Sequence, residues 1–177
     1  MTLQRPLDTL ALFGISGVLL AAFYYQFVGG ELPCPLCALQ RVGFLVAGVA
    51  LVLNLRVGPS PAHYGIALLS SVAAASASLR QISLHVIPNT GHFGSALFGF
   101  HFYTWAFVGY GALVVYVGVM LLLPQPERAR EAPSGALAAV ACWLLVALAA
   151  ANALAFLAEC GLGPCPDDPV RYLWWFS

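Results

Sequence analysis

Cys34 and Cys37 lie in the stretch Glu31-Leu-Pro-Cys-Pro-Leu-Cys-Ala-Leu-Gln-Arg41, between two long apolar runs. Two thiols at this spacing can close a small disulfide ring, bind a metal as half of a site, or shuttle two electrons. Pro33 and Pro35 hold the chain extended, and a helix is predicted to begin at about Leu36. The backbone N–H groups and positive dipole end of that helix would favour a thiolate at Cys37, making it a good leaving group and electron donor. Arg41, one turn beyond Cys37, would share its helix face and add positive charge or hydrogen-bond a carbonyl-bearing cofactor. Against these stand plainer readings: a static disulfide or half a zinc site for the thiols, and a snorkelling side chain for Arg41.

A second close pair ends the chain. In Cys160-Gly-Leu-Gly-Pro-Cys165 the glycines allow bending, while Pro164 and Pro166 stiffen the far end. The pair reads as a mobile relay disulfide facing a soluble partner, as a fixed tail staple or, with Cys34 and Cys37, as four thiolates around zinc. Structural zinc sites usually sit in small aqueous folds, and no metal site is assigned. Cys142, alone in an apolar run, reads as a small core or lipid-facing residue. His85, His92 and His101 raise the thought of a b-type haem, but histidines near a membrane surface are more often interfacial hydrogen-bonders. His63 reads as loop, and Trp174, Trp175 and Phe176 as an interfacial anchor.

These side chains must be positioned by helices in lipid. Of the 177 residues, 61% are hydrophobic and 8% charged, far below the roughly 25% charged residues of a soluble domain. The length allows about five spans of ~20 residues, so the expectation is one all-α membrane domain over residues 1–177. Lysine is absent and the formal net charge is zero, which excludes a basic nucleic-acid surface. The spans are predicted at about 10–28, 36–55, 64–86, 103–123 and 135–158, followed by a tail over 159–177. Met1 to Thr9 reads as a short polar lead. The first run ends in Phe23, Tyr24, Tyr25, Gln26 and Phe27, not in a small-residue cleavage site, so it reads as a retained helix and not a signal peptide. The third, rich in Ala and Ser, suits close helix packing and carries Arg80 and Gln81 in its last third. His85 to Phe102 is expected to lie along the membrane surface, and Pro124 to Ser134 to be an aqueous loop.

Four spans separate the loop with Cys34 and Cys37 from the tail with Cys160 and Cys165, so both pairs are expected on one side, able to meet. Arg5, Arg56, Arg128 and Arg130 share the opposite face, which predicts the amino terminus inside and the cysteine pairs and carboxyl terminus outside. In a bacterial inner membrane, assumed from the short Ala/Leu/Val-rich chain, the outside is the oxidising periplasm, where paired thiols are expected to cycle through disulfides.

With Pro33-Cys-Pro-Leu-Cys37 and Arg41 opening a second span, the chain resembles the disulfide bond formation protein B (DsbB) family, membrane enzymes that reoxidise a periplasmic thioredoxin-like dithiol oxidase and pass electrons to quinone. The likeness extends through about the first four spans, so the resemblance implies the family's four-helix bundle, here with an additional fifth helix. It implies further that Cys37 faces a ubiquinone or menaquinone ring, that Arg41 assists its binding, and that Cys34 exchanges with the second pair. Arg80 is a further expected contact to the pocket. The family's second pair normally lies between spans three and four. In this chain that loop has no cysteine, and Cys160 and Cys165 follow the fifth span.

Two other classes fit the same residues: a dithiol reductase resembling the vitamin K epoxide reductase group, and a non-enzymatic membrane protein whose cysteines are staples or zinc ligands.

Overall fold

The computed structural model describes residues 3–87, 91, 93–124, 135–167 and 169–174. Five helices follow one another: α1 (Gln4–Phe27), α2 (Pro35–Val57), α3 (Pro61–His85), α4 (Phe102–Leu122) and α5 (Ala136–Cys160). Each is long and apolar enough to cross a membrane, and the chain is a multi-pass α-helical membrane protein. The loop arginines Arg128 and Arg130, and also His92, Trp175 and Phe176, lie outside the described residues.

Local chemistry sets the helix starts. Pro35 and Pro61 occupy first-turn positions, where the missing N–H costs nothing, and Ser60 caps α3 by accepting from the Ala62 N–H at 3.3 Å. α1 begins at Gln4, so residues 4–9 of the expected polar lead are helical. The reason is tertiary: Asp8 is fully buried and accepts hydrogen bonds from Tyr64 Oη of α3 at 3.1 Å and Tyr116 Oη of α4 at 2.6 Å. Those partners lie far along the chain. His63, expected in a loop, sits in the first turn of α3 with Nδ1 2.9 Å from Asn54 Oδ1.

Each helix buries one stripe and turns the remaining apolar side chains outward, the pattern expected in lipid. In α1 the stripe is Asp8, Leu12, Ile15, Leu19 and Gln26; in α5 it is Ala138, Ala141, Leu145, Leu148, Asn152, Ala155 and Glu159. α2 is central, packing against α1, α3, α4 and α5, while α5 lies along α1 and α2. The first four helices form the bundle and α5 is the added fifth. Small residues permit the close approaches, as at Gly48, whose Cα faces Leu145 of α5. Cys142 is buried in this core.

Between α3 and α4 the expected surface segment contains a short antiparallel hairpin, β1 (Ala96–Leu97) and β2 (Phe100–His101). It was not foreseen, because two-residue strands carry no periodicity. Trp105 Nε1 donates to the Leu97 carbonyl at 2.9 Å, and Ser95 N donates to Glu31 Oε2 at 3.1 Å. The hairpin is thereby fastened to α4 and to the segment just before the cysteines.

Candidate functional site

Cys34 is the N-cap of α2, with extended backbone angles and a sulfur that accepts from the Cys37 N–H at 3.3 Å. One helical turn then brings Cys37 Sγ to 2.7 Å from Cys34 Sγ. Closing that gap to a disulfide takes a shift of roughly 0.7 Å. The hydrogen bond with Cys37 and burial hold the Cys34 thiol above its ordinary range.

Gln81 of α3 reaches across to both sulfurs. Its Nε2 stands 3.3 Å from Cys34 Sγ and 3.5 Å from Cys37 Sγ, and its Oε1 accepts from Gln40 Nε2 at 2.8 Å. Arg80, expected as a pocket contact, is exposed and does not line the cavity. Consecutive helical residues point about 100° apart, and it is Gln81 that faces inward. A polar residue buried in an apolar run was the available signal.

Arg41 is buried beside the thiols. Its Nη1 donates to Gln26 Oε1 at 2.6 Å and its Nη2 to the Ala22 carbonyl at 3.1 Å. The guanidinium carbon lies 5.5 Å from the Phe23 ring centre and 5.9 Å from that of Phe156 on α5, within cation–π range. Because Phe156 lies near the end of α5 and Arg41 near the start of α2, both cysteine pairs occupy the same end of the bundle. Gln26 Nε2 in turn donates to Tyr172 Oη at 3.2 Å, so the tail reaches the arginine through one amide.

A cavity of about 410 Å³ opens between α1, α2, α4 and the hairpin, with Cys37, Gln40 and Arg41 in its wall beside Tyr25, Leu97 and Phe102. Its wall is mostly apolar. The five N–H donors of a guanidinium exceed the two bonds Arg41 makes to Gln26 and Ala22, leaving donors for a ligand carbonyl. Residues and volume together suit a mostly apolar molecule that carries a hydrogen-bond acceptor.

Cys160 and Cys165 form a closed disulfide with Cα atoms 4.7 Å apart. The chain turns at Gly161 (φ 63°) and returns, so that Leu173 N donates to the Glu159 carbonyl at 3.3 Å and Trp174 N to that of Ala158 at 3.0 Å. His85 and His101 both stack on Tyr103, at 5.5 and 5.3 Å. Among the described residues no three His, Cys, Asp or Glu side chains gather as a metal site.

Residues 4–95 match the family model described as disulfide bond formation protein DsbB. The match covers α1 to α3 and stops before α4, so likeness at the level of sequence is shorter than the four spans expected. The chain is 40% identical over 77 residues to disulfide bond formation protein B of Marinobacter nauticus, covering 41% of this chain and 46% of that protein. It is 40% identical over 91 residues to the protein of the same name from Azoarcus sp., covering 48% and 54%. The chain thus spans about half the length of the curated relatives it matches. No solved structure matches it. Since the matched region takes in more than half of the chain and includes the Cys34–Cys37 turn with Arg41, the chain belongs to the DsbB family of disulfide bond formation proteins.

Proposed function

We propose that the chain is a quinone-linked thiol–disulfide oxidoreductase of the bacterial inner membrane, which reoxidises a periplasmic thioredoxin-like dithiol oxidase and passes the electrons to ubiquinone or menaquinone. The observation that carries this reading is that Cys37 and Arg41 share the wall of one apolar cavity, while a second cysteine pair closes the same end of the bundle. A bound quinone would supply a two-electron, two-proton acceptor. Arg41 would hold its carbonyl, and Tyr25 and Phe102, whose rings touch each other at 4.3 Å, would line one side of its ring.

In this mechanism a partner thiolate attacks the Cys160–Cys165 disulfide, and a mixed disulfide resolves to leave the tail pair reduced. That dithiol then exchanges with a disulfide between Cys34 and Cys37. Cys34 is the sulfur attacked and Cys37 the leaving group, placed at the helix N-terminus where a thiolate is favoured. Gln81 supplies an N–H to both sulfurs. Arg5 and Arg56 lie at the end of the bundle away from the cysteines, which supports a cytoplasmic amino terminus and a periplasmic carboxyl terminus.

The test is quinone reduction by purified protein with a reduced thioredoxin-like donor, compared between wild type and Cys34→Ala. Loss of turnover in the variant is expected; equal rates overturn the reading. Running the same mixture toward equilibrium from quinol and disulfide distinguishes it from a reductase of opposite direction.

A further inference from the structure

Glu159 is a carboxyl group that the mechanism above leaves unused. It is fully buried, and among the described residues neither carboxyl oxygen has a hydrogen-bond partner. Leaving a polar group so is unfavourable, and more so when it is charged. Its surroundings are not random. It directly precedes Cys160 of the tail disulfide, its backbone carbonyl is covered by the returning tail, and its carboxyl lies within electrostatic reach of Arg41 and Cys37 of α2. It adjoins the tail couple along the chain, and Phe156, one turn earlier on α5, lies 5.9 Å from the guanidinium carbon of Arg41 beside the first couple. It also lies on α5, beyond the residues matched by the family model.

We propose that Glu159 is the proton carrier for exchange between the two cysteine pairs, an inference that rests on the oxidoreductase reading. Cys160 is itself buried, so its thiol, once the tail pair is reduced, needs a base before it can attack. In the exchange the Cys160 thiol gives its proton to the Glu159 carboxylate and its sulfur attacks Cys34. The Cys34–Cys37 bond breaks, a Cys160–Cys34 bond forms, and Cys37 leaves as a thiolate. One negative charge enters on Glu159 and one leaves on Cys37, so charge balances. The Cys165 thiol then attacks Cys160, restoring the tail disulfide and passing its proton to Cys34.

The electrostatics favour this direction. Protonating Glu159 removes a negative charge from the neighbourhood of Cys37 and leaves the positive charge of Arg41 to stabilise the new thiolate. Reoxidation of Cys34 and Cys37 then removes the electron pair together with the protons held on Cys34 and Glu159, which resets the carboxylate.

Infrared difference spectroscopy of the wild-type full chain in lipid nanodiscs, oxidised against reduced with a small dithiol, tests this without a variant. A carboxylic acid carbonyl band is expected to appear on reduction and to be missing from Glu159→Gln. Turnover with a reduced thioredoxin-like donor and a short-chain ubiquinone is expected to fall by roughly 100-fold in Glu159→Gln, in kcat and not in the quinone KM, with Glu159→Asp recovering part of it. No band on reduction of the wild type, or equal kcat in Glu159→Gln, overturns the proposal. Wild type that reduces no quinone removes the oxidoreductase reading instead, and the infrared band still decides whether Glu159 takes up a proton.

Discussion

Arg41 Nη1 and Gln26 Oε1 are 2.6 Å apart, and the other end of the same amide is held by Tyr172 of the tail. A buried guanidinium is thus held by a residue whose amide is itself hydrogen-bonded at both ends. Replacing Gln26 with leucine keeps the volume and removes the acceptor. Hydrogen bonds to charged groups contribute about 1.5–3 kcal/mol, so the quinone KM of Gln26→Leu should rise by roughly tenfold or more. An unchanged KM would show that Arg41 needs no anchor from α1.

The two thiols of the first pair should differ in reactivity. Cys34 is buried and its proton is held by the Cys37 contact and by burial, whereas Cys37 is partly accessible from the cavity. In reduced protein, iodoacetamide is expected to modify Cys37 roughly tenfold faster than Cys34, because the thiolate is the nucleophile. Peptide mass mapping after timed quenching reads the order, and faster labelling of Cys34 would reverse the assignment of leaving group.

Gln81 makes a third prediction. Its amide touches both sulfurs and accepts from Gln40, so Gln81→Leu leaves the Gln40 donor unpaired in a buried setting. Thermal stability should drop by about 1–3 kcal/mol, and single-turnover reoxidation of the Cys34–Cys37 pair should slow as well. Loss of stability with an unchanged rate would make Gln81 purely structural.

The legible part of this molecule was the part written in short range. Five apolar runs, the prolines around the start of α2, and two cysteines one turn apart follow from local rules, whereas the start of α1 does not. That start depended on Asp8 meeting Tyr64 and Tyr116, contacts spanning up to 108 residues. Arg80 is the expected pocket contact, yet only the rotation of α3 decides which of Arg80 and its neighbour Gln81 faces the sulfurs. Gln26 carried the same kind of signal, a lone polar residue within a span, but its partners lie on α2 and in the tail; Glu159 stands in the expected tail and joins α5 only in the structure. The hairpin at residues 96–101 had no signal at all beyond Gly99.

The packing of α2 gives a final prediction, independent of the chemistry. A Cβ placed on Gly43 would collide with Ala74 Cβ of α3 and come within 2.7 Å of Tyr110 Oη of α4, whereas one on Gly14 meets nothing within 4 Å. Tyr110 cannot yield easily: its hydroxyl donates to the Gln40 carbonyl and its ring stacks on Phe44 at 4.1 Å. Gly43→Ala must therefore spread α2 from α3, which costs about 1–3 kcal/mol for an overpacked site. Gly14→Ala, exposed on α1, should be neutral or stabilise by up to about 1 kcal/mol through helix propensity. Thermal unfolding of the two variants in one detergent separates them. The strain at Gly43 would also displace Gln40, and with it Gln81, so the same variant should lose turnover before it loses its helices by circular dichroism.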